Sequence, residues 1–241
     1  AIVKIFNKFK CSIFILSILI LLGGGVLTAF TMGLFELMDL NIEEWYISNV
    51  GVFGIVSIPL VATYLYDSIL QRKLYITELL AKIFSPLFFI FVFAYIIVMM
   101  IGGHSPFINR EFLVVFNGLL ILILGIIFFS IVTRSRDSTI YIADYVNVLL
   151  LSASILINLL ALSAITFRLV ELGFTPNRFC VLGVNLIIFI HLIIIAIAYV
   201  RVIMHQIDFD LLRKKVVNYL PVYSCWFVFV TYLLPLVFGF V

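Results

Sequence analysis

A helical stripe of polar residues between positions 147 and 168 is the first candidate for chemistry in this chain. Its seven members follow alternating steps of four and three, so they lie on one helix face, and five of them are polar or small. They are Asn147, Leu151, Ser154, Asn158, Ala161, Ile165 and Arg168. In lipid such a face turns towards protein or towards a water-filled cavity.

The next apolar stretch carries Asn185 and His191. Counted from the turn between the two helices, Asn158 lies about 4.5 Å deeper than Asn185 and about 4.5 Å shallower than His191, at ~1.5 Å per residue. Asn185 and His191 are six residues apart and cannot share a face, so at most one of them meets Asn158. Two interpretations stay open: hydrogen bonds that join the helices, or a polar cavity in which His191 carries a proton or contacts a substrate.

Arginines near the turns on the same side suggest a second kind of site. Arg168, Glu171 and Arg178 cluster at the mouth of the stripe, and Arg110 and His104 lie in another turn on that side. Arginine suits phosphate recognition, so the arginines could hold a lipid-linked phosphate with His104 as base. The alternative is local structure, in which Glu171 pairs with one of the two neighbouring arginines.

The turn RLVELGFTPNR, residues 168–178, also contains residues that shape the backbone. Gly173 permits a positive φ where the first helix ends. Thr175 is suited to cap the second helix, and Pro176 suits its first position. These three residues are explained by the turn alone and need no function.

Several chemistries lack support in the sequence. The cysteines, Cys11, Cys180 and Cys225, form no CxxC pair, and His104 has no second His or Cys nearby, so we expect no metal. No phosphate-cradling glycine loop occurs, so we expect no nucleotide and no other cofactor. The apolar stretches carry no charged residue within them, which argues against an ion-coupled transporter.

The elements that position these residues are seven long apolar stretches. Hydrophobic residues make up 65% of the chain, charged residues 11%, and the mean hydropathy is +1.32. A helix needs about 20 residues to cross a bilayer, and backbone groups in lipid must satisfy their own hydrogen bonds. We therefore predict an all-α polytopic transmembrane bundle, one domain over 1–241. The predicted helices are 11–35, 45–66, 79–103, 112–133, 145–168, 179–202 and 217–241.

The basic residues predict the orientation of the bundle. With the N-terminus placed in the cytoplasm, eleven Lys and Arg fall on the inner side and three on the outer side. This positive-inside bias predicts a cytoplasmic N-terminus and, after seven crossings, an outer C-terminus. The chain begins without Met, which is expected of a fragment of a longer protein as well as of a processed one. The net charge of +3 is no sign of nucleic-acid binding.

Small residues in the first helix predict a helix-packing face. Gly25, Ala29 and Gly33 recur every four residues. Small side chains let a second helix approach closely, which is how helices associate in lipid.

The stretch from Phe167 to Val200 resembles an uncharacterised family of bacterial integral membrane proteins, a domain of unknown function numbered four-one-five-three. Its members show an aromatic–Gly–x–Thr–x–Asn/Glu–Arg turn between two membrane helices. Here Leu172 replaces the aromatic residue, and Gly-Gly-His-Ser-Pro-Phe replaces a Trp- and Pro-rich turn near residue 104. The resemblance covers roughly residues 80–200 and implies a bacterial inner-membrane protein, without any assigned reaction.

Three functions are compatible with these patterns. We expect a structural or assembly subunit of a bacterial envelope complex, in contact with lipid and with other membrane proteins, because no catalytic constellation is visible. The alternatives are a permease or carrier for a small or lipidic molecule between helices 5 and 6, and an intramembrane enzyme acting on lipid-linked phosphate. Asn158, Asn185 and His191 are the candidate binding residues for the carrier.

Overall fold

The structure, a computed structural model, describes the backbone of residues 2–72, 76–102, 110–134 and 140–239. It describes the side chains of residues 13–67, 83–97, 99–100, 113–134 and 140–239. The described residues form helices and no strand. They are α1 (Ile2–Glu36), α2 (Glu43–Tyr46, Ile47–Gly51 and Val52–Arg72 in succession), α3 (Ile76–Gly102), α4 (Arg110–Val132), α5 (Ile142–Leu172), α6 (Pro176–Ile203), α7 (Phe209–Asn218) and α8 (Leu220–Val228, Phe229–Leu233 and Leu234–Val237 in succession).

Six helical stretches are long and apolar enough to cross a membrane, so the chain has the character of a multi-pass membrane protein. Within the described residues these stretches are Ile13–Glu36, Glu43–Asp67, Leu113–Val132, Ile142–Leu172, Pro176–Ile203 and Phe209–Val237. In α3 the part with described side chains forms a shorter apolar helix, Ile83–Ile97.

Helix α5 is the centre of the bundle. Half of the residues in its most apolar window are buried, against 6% in α1 and in the α7–α8 stretch and 11% in α2. Helices α3, α4 and α6 pack around α5 and bury large side chains such as Tyr95, Phe116 and Leu192. The many exposed apolar side chains of the outer helices are those expected to face lipid.

The predicted packing face of α1, formed by Gly25, Ala29 and Gly33, is not used for packing within the described part of this chain. Gly25 and Ala29 are exposed, and a Cβ added to Gly25 or Gly33 would meet no atom within 4 Å. Another face of α1 packs instead, through larger residues such as Leu34, and Met38 in the turn after α1 packs beside it; both are fully buried. Filling the groove against the neighbouring helices with large side chains buries more surface and makes more dispersion contacts than a glycine face would.

The last predicted helix, 217–241, is divided in the structure. Helix α7 ends at Asn218 and α8 begins at Leu220, directly before Pro221. Proline has no N–H to continue the helical hydrogen bonds, which explains the break. Helix α7 is amphipathic and buries Phe209, Leu212 and Val216 against the bundle.

Helix α8 contacts α6 through a seam of aromatic rings. The indole of Trp226 lies against Gly183, where any Cβ would collide with it. Nearer the α5–α6 turn, Phe174 and Phe238 stack with their ring centroids 5.7 Å apart. Glycine at position 183 is therefore required for this approach.

Candidate functional site

A cavity of about 260 Å³ lies between α4, α5 and α6 at the end of the bundle that carries the α5–α6 turn. We call this the outer end, after the predicted orientation, and the cavity the outer pocket. Its lining combines polar and apolar side chains. The polar ones are Asn117, Arg168, Thr175, Asn177 and Arg178, and the apolar ones are Leu113, Val114, Ile165 and Val181.

The α5–α6 turn places Arg178 at the pocket, and the predictions for this turn are confirmed. Helix α5 ends at Leu172, and Gly173 follows with a φ of 80°. Thr175 is the N-cap of α6, where its Oγ1 accepts a hydrogen bond from the backbone N–H of Arg178 at 3.4 Å, and Pro176 occupies the first turn. The turn therefore places Arg178 in the first turn of α6, beside the outer pocket.

The Arg178 guanidinium also caps α5. Its Nη1 donates to the carbonyl oxygens of Leu172 at 2.7 Å and of Gly173 at 2.6 Å. These carbonyls belong to the helix end, where they lack intrahelical donors. Arg178 is therefore bound by neutral carbonyls and not by Glu171, and its Nε and second terminal nitrogen remain as donors.

Only part of the predicted arginine cluster can be placed. Arg168, half-buried, lines the outer pocket together with Arg178. Glu171 is exposed and does not line the pocket. His104 lies outside the described residues, and so does the side chain of Arg110, although the backbone of Arg110 begins α4.

Asn117 is a pocket residue that sequence reasoning missed. Its Oδ1 is buried and has no hydrogen-bond partner among the described residues. The signal was present, because Asn117 is an isolated amide in the apolar stretch of α4. A buried acceptor without a donor costs about 1–3 kcal/mol, so a ligand that donates a hydrogen bond here would gain affinity.

Deeper in the bundle, Asn158 and Asn185 join α5 to α6. The Asn158 Nδ2 donates to the backbone carbonyl of Asn185 at 3.3 Å, and the Asn185 Nδ2 donates to the carbonyl of Val181 at 2.8 Å. Both residues are fully buried. Ser154, on the same face of α5, donates to the carbonyl of Leu150. These contacts are interhelical and local hydrogen bonds of the kind expected within a packed bundle.

His191 does not join this contact, in agreement with the prediction that at most one of Asn185 and His191 meets Asn158. The His191 Nδ1 lies 3.0 Å from the Tyr223 hydroxyl, and its ring stacks on Tyr219 with centroids 4.5 Å apart. Six residues turn a helix by about 240° relative to Asn185. His191 therefore faces the aromatic seam with the last helix, away from α5.

At the opposite, inner end, an ion pair lies inside the bundle. The Arg134 guanidinium donates to Asp144 Oδ1, and Asp144 is 1% exposed. The same Oδ1 accepts from the Tyr199 hydroxyl at 2.8 Å, while Oδ2 accepts from the backbone N–H of Tyr141 at 2.7 Å. Asp144 is thus held by an arginine, a phenol and a backbone amide.

Polar and aromatic neighbours complete this inner cluster. The Asn147 Nδ2 donates to Ser130 Oγ at 2.8 Å and to the Tyr199 hydroxyl oxygen at 3.1 Å. The Arg134 guanidinium lies 3.8 Å from the ring centroid of Phe209. Arg134 and Asp144 lie on either side of the connection between α4 and α5, and the ends of α4, α5, α6 and α7 enclose them.

Within the described ranges, no three or more His, Cys, Asp or Glu side chains lie close enough to hold a metal ion. The chain matches no protein-family profile, no curated protein and no solved structure. The resemblance to the uncharacterised bacterial family therefore stays a prediction.

Proposed function

We propose that the chain crosses a bacterial inner membrane seven times, with its N-terminus in the cytoplasm and its C-terminus outside. Six described stretches meet the length and hydropathy of a crossing. The backbone of α3 spans 27 residues, which is long enough for the seventh. The basic bias of the predicted inner connections supports the direction.

We propose that the functional site is the outer pocket and that it binds a phosphate-bearing group. The observation that carries this proposal is the convergence of Arg168 and Arg178 on one cavity. Guanidinium groups match phosphate oxygens in geometry and charge. The first turn of α6 adds the positive end of a helix dipole at the same place.

The proposal is binding and not catalysis. The described lining of the pocket contains amides, a hydroxyl, guanidinium groups and aliphatic side chains. It contains no carboxylate, imidazole or thiol to act as a general base or a strong nucleophile. The enzyme alternative relies on His104, which lies outside the described residues.

Binding of water-soluble glycerol 1-phosphate to the purified protein, measured by calorimetry in detergent, tests this site. Arg168→Gln should weaken binding by about tenfold, since a hydrogen bond to a charged group contributes ~1.5–3 kcal/mol. Arg201→Gln is the matched control, because Arg201 is exposed at the far end of α6. Equal affinity of both variants and the parent would reject the pocket as a phosphate site.

A second candidate is a subunit of an envelope complex. The face formed by Gly25, Ala29 and Gly33 supports it, because no neighbour within the described residues covers positions 25 and 33. Ala29→Leu should reduce recovery of partner proteins in mild detergent, while Val56→Leu, at an exposed position of α2, should not. Repeated recovery of no partner by the parent protein would count against this role.

A permease using a cavity between α5 and α6 has less support. The amide nitrogens of Asn158 and Asn185 are engaged with backbone carbonyls, and both side chains are buried. His191 faces α8. Transport through this region would require these contacts to open.

A further inference from the structure

The outer pocket has two levels that differ in chemistry. On α5, Arg168 is nearer the helix end and Ile165 lies about 4.5 Å further in. On α6, Arg178 is nearer the end and Val181 lies about 4.5 Å further in. All four residues line the same cavity. The charged level is therefore at the outer rim, where the phosphate of a lipid lies in a bilayer, and on α5 and α6 the level below it is apolar.

The pocket also opens sideways. Val114 lines the cavity and is 63% exposed, whereas its neighbour Leu113 is 7% exposed. Both lie in the stretch Leu113–Val132, which is apolar enough to cross a membrane. On α4, the buried Leu113 and the exposed Val114 are adjacent, so the pocket wall borders directly on the lipid-facing surface of this helix. A ligand can therefore enter the pocket from the bilayer.

The size of the cavity limits which part of a ligand it holds. Pockets for drug-sized molecules measure roughly 300–1,000 Å³, and this one measures about 260 Å³. It accommodates a phosphate with a small alcohol, but not an acyl chain as well. The chain must lie outside, against the exposed side of Val114.

Asn117, at the inner end of the pocket, indicates which hydrogen-bonding group the ligand's alcohol should have. Asn117 lies one helical turn beyond Leu113, and its buried Oδ1 has no donor among the described residues. A carbonyl oxygen of this kind is satisfied by a hydroxyl or an N–H group. A headgroup that donates a hydrogen bond therefore fits better than one that only accepts.

We propose that the ligand is an anionic phospholipid with a hydroxylated headgroup, taken from the bilayer through the side of the pocket. Its phosphate lies between Arg168 and Arg178, its hydroxyl reaches Asn117, and its acyl chain passes over Val114. This assignment rests on the proposed phosphate-binding function and adds the class of ligand and its route of entry.

Native mass spectrometry of the detergent-purified protein tests the assignment. Dioleoyl phosphatidylglycerol should be retained about two- to tenfold more than dioleoyl phosphatidylcholine, which has the same phosphodiester but no headgroup hydroxyl to donate a hydrogen bond of ~0.5–1.5 kcal/mol. Dioleoyl phosphatidic acid, which has a phosphate but no headgroup alcohol, is measured beside them. Val114→Trp should reduce this retention. Ile121→Trp is the matched control, because Ile121 is exposed two turns further along the same face of α4.

The outcomes separate the two proposals. If glycerol 1-phosphate binds and needs Arg168, but Val114→Trp leaves lipid retention unchanged, the lipid assignment is overturned and the phosphate site stands. Equal retention of the three lipids also overturns the assignment. If neither glycerol 1-phosphate nor phosphatidylglycerol depends on Arg168, both proposals fail. Unchanged melting temperatures establish that the variants fold.

Discussion

The two ends of the same helices use arginine in opposite ways. At the inner end, Arg134 is paired with a buried carboxylate and covered by an aromatic ring. At the outer end, Arg178 donates to neutral carbonyls beside an open cavity. A carboxylate cancels the charge of an arginine, and a carbonyl does not. This difference makes the inner arginine part of the packed bundle, and it supports the proposal that the outer arginine binds an anion.

The largest effect should follow from breaking the inner ion pair. Asp144→Asn removes the buried carboxylate that faces the Arg134 guanidinium, and breaking a buried pair by removing one partner should lower the free energy of unfolding by about 3–5 kcal/mol. Chemical unfolding in detergent measures this change. The exposed pair of Asp210 and Arg213, 3.1 Å apart, is the control, and Asp210→Asn should change stability by no more than about 1 kcal/mol.

The double variant Arg134→Met with Asp144→Leu sharpens the same comparison. Removing both charges should restore part of the lost stability, because apolar pairs often replace buried ion pairs without loss. A double variant as unstable as Asp144→Asn would show that the neighbouring hydrogen bonds of Tyr199 and Asn147 dominate the cluster.

A smaller effect is expected at the outer end. Arg178→Ala removes two hydrogen bonds to the end of α5 and should cost about 1–2 kcal/mol in the same unfolding measurement. Arg178→Lys, which keeps the charge, should lose less. If Arg178→Ala destabilised the protein as much as Asp144→Asn does, the contrast between the two ends would be wrong.

The smallest effect is expected between the two ends. Asn158→Leu removes one hydrogen bond of 3.3 Å to α6. Such bonds between membrane helices average about 0.6 kcal/mol and seldom exceed about 1.7 kcal/mol. A loss above 3 kcal/mol, on the scale of the ion pair, would mean that the buried stripe of α5 is a larger determinant of the bundle than either end.

Local chemistry made much of this fold predictable from the sequence. Long uninterrupted apolar stretches predicted where the helices lie. Gly173, Thr175 and Pro176 predicted the turn between α5 and α6, because these residues act on the backbone within a few positions. The same turn brought Arg168 and Arg178 to one mouth, as the spacing indicated. Asn158 and Asn185 could be paired because two helices joined by a short turn must lie side by side.

What escaped prediction depends on neighbours distant in the chain. The burial of Arg134 and Asp144 depends on Tyr199 and Phe209, which are more than 50 residues away from Asp144 in the chain and cannot be placed beside it from sequence. His191 could not be assigned to a side without the position of α8. Which face of α1 packs depends on how well its large side chains fill the groove between the neighbouring helices. The spacing of Gly25 and Ala29 does not reveal this.

The aromatic seam between α6 and α8 has a consequence for biosynthesis. A chain made from its N-terminus completes α3 to α6 before Trp226 has been synthesised, and the most apolar window of the α7–α8 stretch buries only 6% of its residues. Docking of α8 on α6 therefore follows the synthesis of all the helices it packs against, and Gly183 leaves the space that the Trp226 indole occupies.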